Sequence, residues 1–222
     1  MKTILEVKNL NLRVPEKQLF TNLSFSIPAN RLTCMTGENG VGKTTLAKHL
    51  LKSAGKDNAH VEFAVKRTQI QYVPQLRNID DDFPLSVHDF VALGLKRSRF
   101  LWYSKAERQL LKRVLADTHL NKIQKEALGA ASGGEKQRAF LAQALCAEPR
   151  LLILDEATAS LDKDAKHKLL KLISNLIAEK KITVLFITHD AELVEKYADY
   201  ELLLSAQQGK LINRRRDTHA AV

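Results

Sequence analysis

The spacing of apolar and polar residues changes several times along this chain, and each change predicts an element. Residues 4–7 and Leu23-Ser24-Phe25-Ser26-Ile27 mix apolar and polar positions as half-buried antiparallel strands do. Leu32-Thr33-Cys34-Met35-Thr36 reads as a strand, and residues 45–51 then take helical spacing. Asn30 lies in the turn before that strand, where a residue tolerating positive φ is useful. From about 85 to 128 the pattern is mostly helical, first over 87–93 and then over 106–115, where Leu110, Leu111, Val114 and Leu115 recur on one side. A long helix is predicted over 135–147, closed by Pro149. Residues 151–154 and 182–187 are unbroken apolar runs, the mark of central parallel strands, with 166–178 as the crossover helix between them.

This order describes an α/β fold with a mixed or parallel core sheet, an N-terminal antiparallel β subdomain and an inserted helical subdomain. The expected division is one domain over 1–222: a core of about 1–84 and 148–212, the helical insert at about 85–147, and a basic tail from 213 to 222. A length of 222 residues suits that single domain. Hydrophobic residues at 45% and charged residues at 27% exclude a disordered or fibrous class. The longest apolar runs, such as Val184-Leu185-Phe186-Ile187, fall far short of the ~20 residues that a membrane span needs. Met1-Lys2-Thr3 leads straight into the first strand without the features of a secretory signal, so a cytoplasmic location is expected. Cys34 and Cys146 show no C-x-x-C spacing and predict neither a disulfide nor a zinc site. The net charge of +10 is scattered, apart from Lys96-Arg97-Ser98-Arg99 and Arg214-Arg215-Arg216, and such runs more often solvate a surface than contact a partner. Phe100, Trp102 and Tyr103 read as packing within the helical insert, with contact to a partner protein as the other reading.

Three segments carry the chemistry. Gly37-Glu38-Asn39-Gly40-Val41-Gly42-Lys43-Thr44-Thr45 is a G-x-x-x-x-G-K-[ST] phosphate loop, whose glycines let backbone N–H groups turn onto a triphosphate while Lys43 adds a point charge. It lies between a predicted strand and a predicted helix, where the helix N-terminus also favours phosphate. Ser132-Gly133-Gly134-Glu135 offers a hydroxyl, exposed backbone N–H groups and the positive end of another helix. Leu151-Leu152-Ile153-Leu154-Asp155-Glu156 ends an apolar strand in two carboxylates, suited to delivering Asp155 to a magnesium ion and Glu156 to an attacking water. Together they predict ATP hydrolysis.

With these segments and their order, the chain resembles the nucleotide-binding subunit of ABC transporters from about residue 4 to residue 212. Gln75, in Tyr72-Val73-Pro74-Gln75, matches that family's glutamine loop. Ser132 to Glu135 match the signature, Asp155 and Glu156 the Walker B end, Asp162, in Ala159-Ser160-Leu161-Asp162, the D-loop, and His189 the switch histidine. The resemblance implies a head-to-tail homodimer that sandwiches each ATP between the phosphate loop of one copy and the signature of the other. It implies Thr44 as a direct ligand of Mg²⁺, Asp155 as a ligand through water, and Gln75 as a further ligand and a sensor of the permease. Lys43 is expected on the β- and γ-phosphates, Glu156 as general base, His189 beside the γ-phosphate, and Asp162 against the opposite copy. The implied partners are an integral membrane permease and, indirectly, an extracytoplasmic substrate-binding protein, with the chain peripheral on the cytoplasmic face; nucleic acid is not an expected partner.

The chain departs from the family at three points. Val14 occupies the position of the aromatic residue that stacks on adenine, with Phe20 as a candidate substitute. Ala131 and Glu135 flank the Ser-Gly-Gly core where Leu and Gln are usual, and Ala157 replaces the usual proline after the glutamate. Tyr72-Val73-Pro74-Gln75 with the 79–87 segment is similar to ATPases of zinc and manganese importers, and Val91-Ala92-Leu93-Gly94 to those of iron-chelate importers. Two other readings stand beside import: a soluble ATPase acting on nucleic acid or ribosomes, and a nucleotide-gated binding module without turnover. The first has only the basic balance in its favour, since no sustained heptads separate the phosphate loop from the signature and only one cassette is present.

Overall fold

Continuous apolar runs become the centre of a six-stranded sheet because both of their faces are covered. The computed structural model describes residues 2–15, 17–75, 79–80, 82–95 and 103–215. The basic cluster at 96–99 and residues Phe100, Trp102 and Arg216 lie outside the described residues. The sheet runs in the order β5-β6-β7-β3-β8-β9, with β3 (Leu32–Gly37), β5 (Ile70–Val73), β6 (Leu151–Asp155), β7 (Thr183–Ile187) and β8 (Tyr200–Ser205) parallel. Strand β9 (Gln208–Asn213) turns back antiparallel on β8 at the edge, so the sheet is mixed.

A second, antiparallel sheet of three strands, β2-β1-β4, is built from β1 (Thr3–Val14), β2 (Lys17–Pro28) and β4 (Val61–Phe63). Strands β1 and β2 run well past the short alternating segments visible in the sequence. Register shifts between Val7 and Leu10, and positive φ angles of 50° at Asn9 and 55° at Asn22, interrupt the alternation without ending the pairing. Asn30 does take positive φ, at 58°.

Helix α1 (Lys43–Ser53) and the three-stranded sheet pack on one face of the large sheet, burying Met35, Leu46, Leu50, Ile153 and Ile187 between them. The other face carries α2 (Val87–Ala92), α3 (Lys105–Asp117), α4 (Gly133–Leu145), α5 (Lys163–Lys180) and α6 (Ala191–Tyr197) over Leu152, Leu154, Val184 and Phe186. Successive residues of each central strand therefore face different cores, which explains why all five residues of β6 and of β7 are buried. Helix α4 starts at Gly133, two residues ahead of the predicted start, because Ser132 caps it and Glu135 returns a bond to the Ser132 N–H. At the far end of α2, Gly94 lets the chain run against α4, where a Cβ would stand 1.8 Å from the Gln143 carbonyl oxygen. Cys34 and Cys146 are buried free thiols, and burial pushes both up to about 12, which keeps them inert at neutral pH.

Candidate functional site

At the C-terminal end of β3 the backbone enters conformations that side chains resist. Gly37 has φ 142°, and a Cβ there would lie 2.4 Å from the Leu204 carbonyl oxygen of β8. Gly40 and Gly42 follow at φ 78° and 109°. Helix α1 begins directly after Gly42 without a side-chain cap, so its first N–H groups face the loop. Lys43 is only 6% exposed, and its ammonium donates to the carbonyl oxygens of Gly37 at 2.8 Å and Glu38 at 3.0 Å. Glu38, Asn39 and Gly40 form the exposed crest of the loop, while Val41, Thr44 and Thr45 are half-buried.

Phe20 does not take the adenine-stacking role considered for it. It is fully buried beneath the loop, its ring edge 3.2 Å from where a Cβ of Gly42 would stand, so it forms the floor of the phosphate loop and has no free face. Val14 is half-buried against the same core.

Strand β6 brings Asp155 to this loop. Its carboxylate is 3% exposed and accepts from two hydroxyls: Thr44 Oγ1 to Oδ1 at 3.0 Å, and Tyr72 Oη to Oδ2 at 2.6 Å. A hydrogen bond to a charged group contributes about 1.5–3 kcal/mol, so this pair fixes the carboxylate firmly. The Tyr72 phenol is raised well above its usual range, first by burial and then by its bond to Asp155 and the charge there. The Thr44 hydroxyl and the Asp155 carboxylate are hard oxygen donors beside a phosphate loop, a set that fits Mg²⁺.

Glu156 leaves the sheet at once. Its N–H donates to the Ile187 carbonyl of β7 at 3.1 Å and its φ is 47°, an uncommon angle for a glutamate. The turn leaves its side chain 24% exposed, with Oε1 3.9 Å from Nδ1 of His189, which is 59% exposed just past β7. Asp190 caps α6 and accepts from Lys166 of α5 at 2.9 Å, anchoring the residue next to His189. On the His189 side a cavity of about 370 Å³ opens between Gly37, Val194 and Glu201.

The signature residues form a separate cluster. Ser132 and Glu135 bond reciprocally at the start of α4, and the Ser132 hydroxyl and N–H hold the Glu135 carboxyl below its usual range. Positions 133 and 134 lie against Leu161 and Ala165, next to Asp162, which caps α5 by accepting from the Ala165 N–H at 2.8 Å. Gln75 is exposed two residues beyond β5. Beside it, a groove of about 540 Å³ is lined by Gln71, Val73, Pro74, Leu93 and Phe140, with Leu93 51% exposed.

The structure thus gathers Lys43, Thr44, Asp155, Glu156 and His189 at the C-terminal ends of neighbouring strands, and sets Ser132 to Glu135 and Asp162 together at the N-termini of α4 and α5. The Tyr72 hydroxyl was not anticipated. Its one signal is its place ahead of Gln75, which becomes informative only once β5 is known to pair with β6, Tyr72 opposite Ile153.

Residues 20–159 match the ABC transporter family. A probable metal transport system ATP-binding protein of Thermotoga maritima is 34% identical over 193 residues, spanning 87% of this chain and 78% of the relative. The manganese transport system ATP-binding protein MntB of Bacillus subtilis is 32% identical, spanning 90% of this chain and 82% of its own. Among solved structures, an inward-facing, metal-chelate type ABC transporter superposes with a TM-score of 0.84 at 28% identity, over 97% of this chain and 85% of its own.

Proposed function

Because the chain belongs to the ABC transporter family of ATP-binding proteins, we propose that it is the ATP-hydrolysing subunit of a metal-ion importer, acting on a separate membrane permease. The observation that carries the reading is the bond between Thr44 and Asp155, which joins a phosphate loop to a buried carboxylate with Glu156 and His189 beside it.

In this reading the loop N–H groups and Lys43 hold the β- and γ-phosphates, and Thr44 and Asp155, with Gln75, hold Mg²⁺. Held by those residues, Mg²⁺ would supply positive charge against the triphosphate. Glu156 orients the attacking water and takes its proton, and His189 donates toward the γ-phosphate. The positive φ of Glu156 suits this role, because it turns the carboxylate out of the sheet toward His189. A second copy of the chain, arranged head to tail, supplies Ser132, Gly133, Gly134 and the N-terminus of α4 to the same nucleotide, with Asp162 at the junction. Phosphate donors on α4 that bond within their own cap, rather than to the phosphate loop, fit that arrangement.

We assign the permease to the apolar groove beside Gln75, where Leu93 is exposed, and place the chain on the cytoplasmic face of the membrane. Among the described residues no helix is long and apolar enough to cross a membrane, and in this reading the permease carries the transport path. Manganese is the cargo we favour, on the likeness to the Bacillus subtilis protein; zinc and iron chelates are the alternatives. An extracytoplasmic binding protein would then meet the permease and not this chain. Among the described residues no observation favours a soluble role on nucleic acid, since Arg214 and Arg215 of the closing basic cluster pair with Glu201 of β8 and with Asp199 just before it.

The test is phosphate release by the purified chain, followed by metal uptake in cells that lack it and are complemented with it. Magnesium-dependent phosphate release with restored manganese uptake is the expected result. Nucleotide binding without turnover, or uptake indifferent to the chain, would overturn the reading.

A further inference from the structure

The Asp155 carboxylate has two oxygens in different surroundings. Oδ1 faces Thr44 and the phosphate loop, and Oδ2 faces β5, where the Tyr72 hydroxyl donates to it at 2.6 Å. That distance is typical of a hydroxyl donating to a charged carboxylate, among the stronger hydrogen bonds in proteins. The strand register produces the contact: Tyr72 pairs with Ile153, so its side chain lies on the face shared by Ile153 and Asp155 and reaches forward to the strand end. With Asp155 only 3% exposed, water has little room to replace a missing donor at Oδ2. A carboxylate held by Thr44 alone can turn about its last torsion and exchange its oxygens, because such terminal torsions are soft.

We infer that Tyr72 is a positioning residue for the magnesium site, its hydroxyl fixing the rotation of the Asp155 carboxylate so that Oδ1 stays turned toward Thr44. The inference rests on the reading of Thr44 and Asp155 as the magnesium-holding pair. It also gives the strand that leads to Gln75 a direct hold on that pair, since Tyr72 and Gln75 are three residues apart. Tyr72 touches neither phosphate nor metal in this account. Losing its hydroxyl therefore acts on the magnesium requirement, and not on the chemistry once the metal is bound. Outer partners of metal ligands are generally worth about 10–100-fold in affinity, and the lower end applies where the carboxylate acts through water.

Tyr72→Phe keeps the half-buried ring, which packs against the core, and removes only the donor. Phosphate release measured against free Mg²⁺ at fixed ATP is expected to show a half-saturating concentration raised about 10-fold, with the rate at saturating Mg²⁺ within about twofold of the parent. Binding of a fluorescent ATP analogue in a Glu156→Gln background, where turnover is blocked, should show the same shift with Mg²⁺ and none in EDTA. In an Asp155→Asn protein, adding Tyr72→Phe should shift the metal dependence no further. An unchanged magnesium requirement would overturn the inference, as would an equal loss of rate at all Mg²⁺ concentrations accompanied by a lowered melting temperature. Should the parent protein itself bind nucleotide without regard to Mg²⁺, the functional reading fails first and this inference with it.

Discussion

Oγ1 of Thr44 lies 3.0 Å from Oδ1 of Asp155, although 111 positions of sequence separate the two residues. Neither is adjacent to the other in the sheet: Thr44 follows β3, Asp155 ends β6, and β7 runs between those strands. The bond crosses over the end of β7, so the phosphate loop and the strand-end carboxylates are registered to each other through a third strand that also delivers His189.

Lys43→Ala should weaken nucleotide binding. The ammonium that bonds the Gly37 and Glu38 carbonyls is the loop's positive side-chain charge, and a charged hydrogen bond is worth about 1.5–3 kcal/mol. A titration with Mg-ATP should show Kd raised about 10- to 100-fold.

Glu156→Gln keeps the size and turn of the residue but removes the base. Phosphate release should fall by about 10²–10⁴-fold while ATP is still bound. In the head-to-tail arrangement the undischarged nucleotide should also shift the protein to a dimer on size exclusion. Turnover equal to the parent would remove Glu156 from the mechanism.

The Lys166–Asp190 pair should carry a pH signature. The Lys166 ammonium holds the Asp190 carboxyl below its ordinary value of 3.8, helped by the Leu193 N–H. A lowered carboxyl stabilises the fold at pH above 3.8, and that contribution disappears as pH falls through the lowered value. Lys166→Met should cost about 0.2–1 kcal/mol at neutral pH, given that both side chains are partly exposed. The gap between variant and parent in urea unfolding should close below pH 3.8.

Gly94→Ala tests the seam between α2 and α4. The added carbon would stand 1.8 Å from the Gln143 oxygen, which belongs to helix backbone and cannot swing aside. A loss of about 1–3 kcal/mol in urea unfolding is expected, the usual cost of overpacking. Displacement of α4 should also be felt at its other end, where Ser132 and Glu135 lie, as reduced hydrolysis.

The parts of the fold legible in the sequence were those with a strong period or a run. Residues 151–154 and 182–187 showed their burial on both faces directly, and Gly37 to Thr45 announced the turn into α1. Asn30 was readable because asparagine tolerates the angle it adopts. Glu156 was readable as chemistry but not as geometry, since a glutamate carries no local preference for φ 47° and the turn depends on the distant Ile187 carbonyl. Phe20 was misleading for a related reason. Its aromatic character suggested a base-stacking face, but burial under Gly42 was decided by how β2 packs on α1 and the loop. Tyr72 could not be placed until strand order was known.

Strand β3 sits between β7 and β8, and its first residue pairs with Val184. A ribosome releases the whole phosphate loop early, yet neither neighbour of β3 exists until Thr183–Ile187 and Tyr200–Ser205 have been made. At ~5–20 residues per second, Leu32–Gly37 waits roughly 10–30 s without its partners. The sheet that holds the loop in place is therefore complete only after β7 and β8 have been made. Until then Leu32, Cys34 and Met35, all buried in the finished fold, lack the strands that cover them.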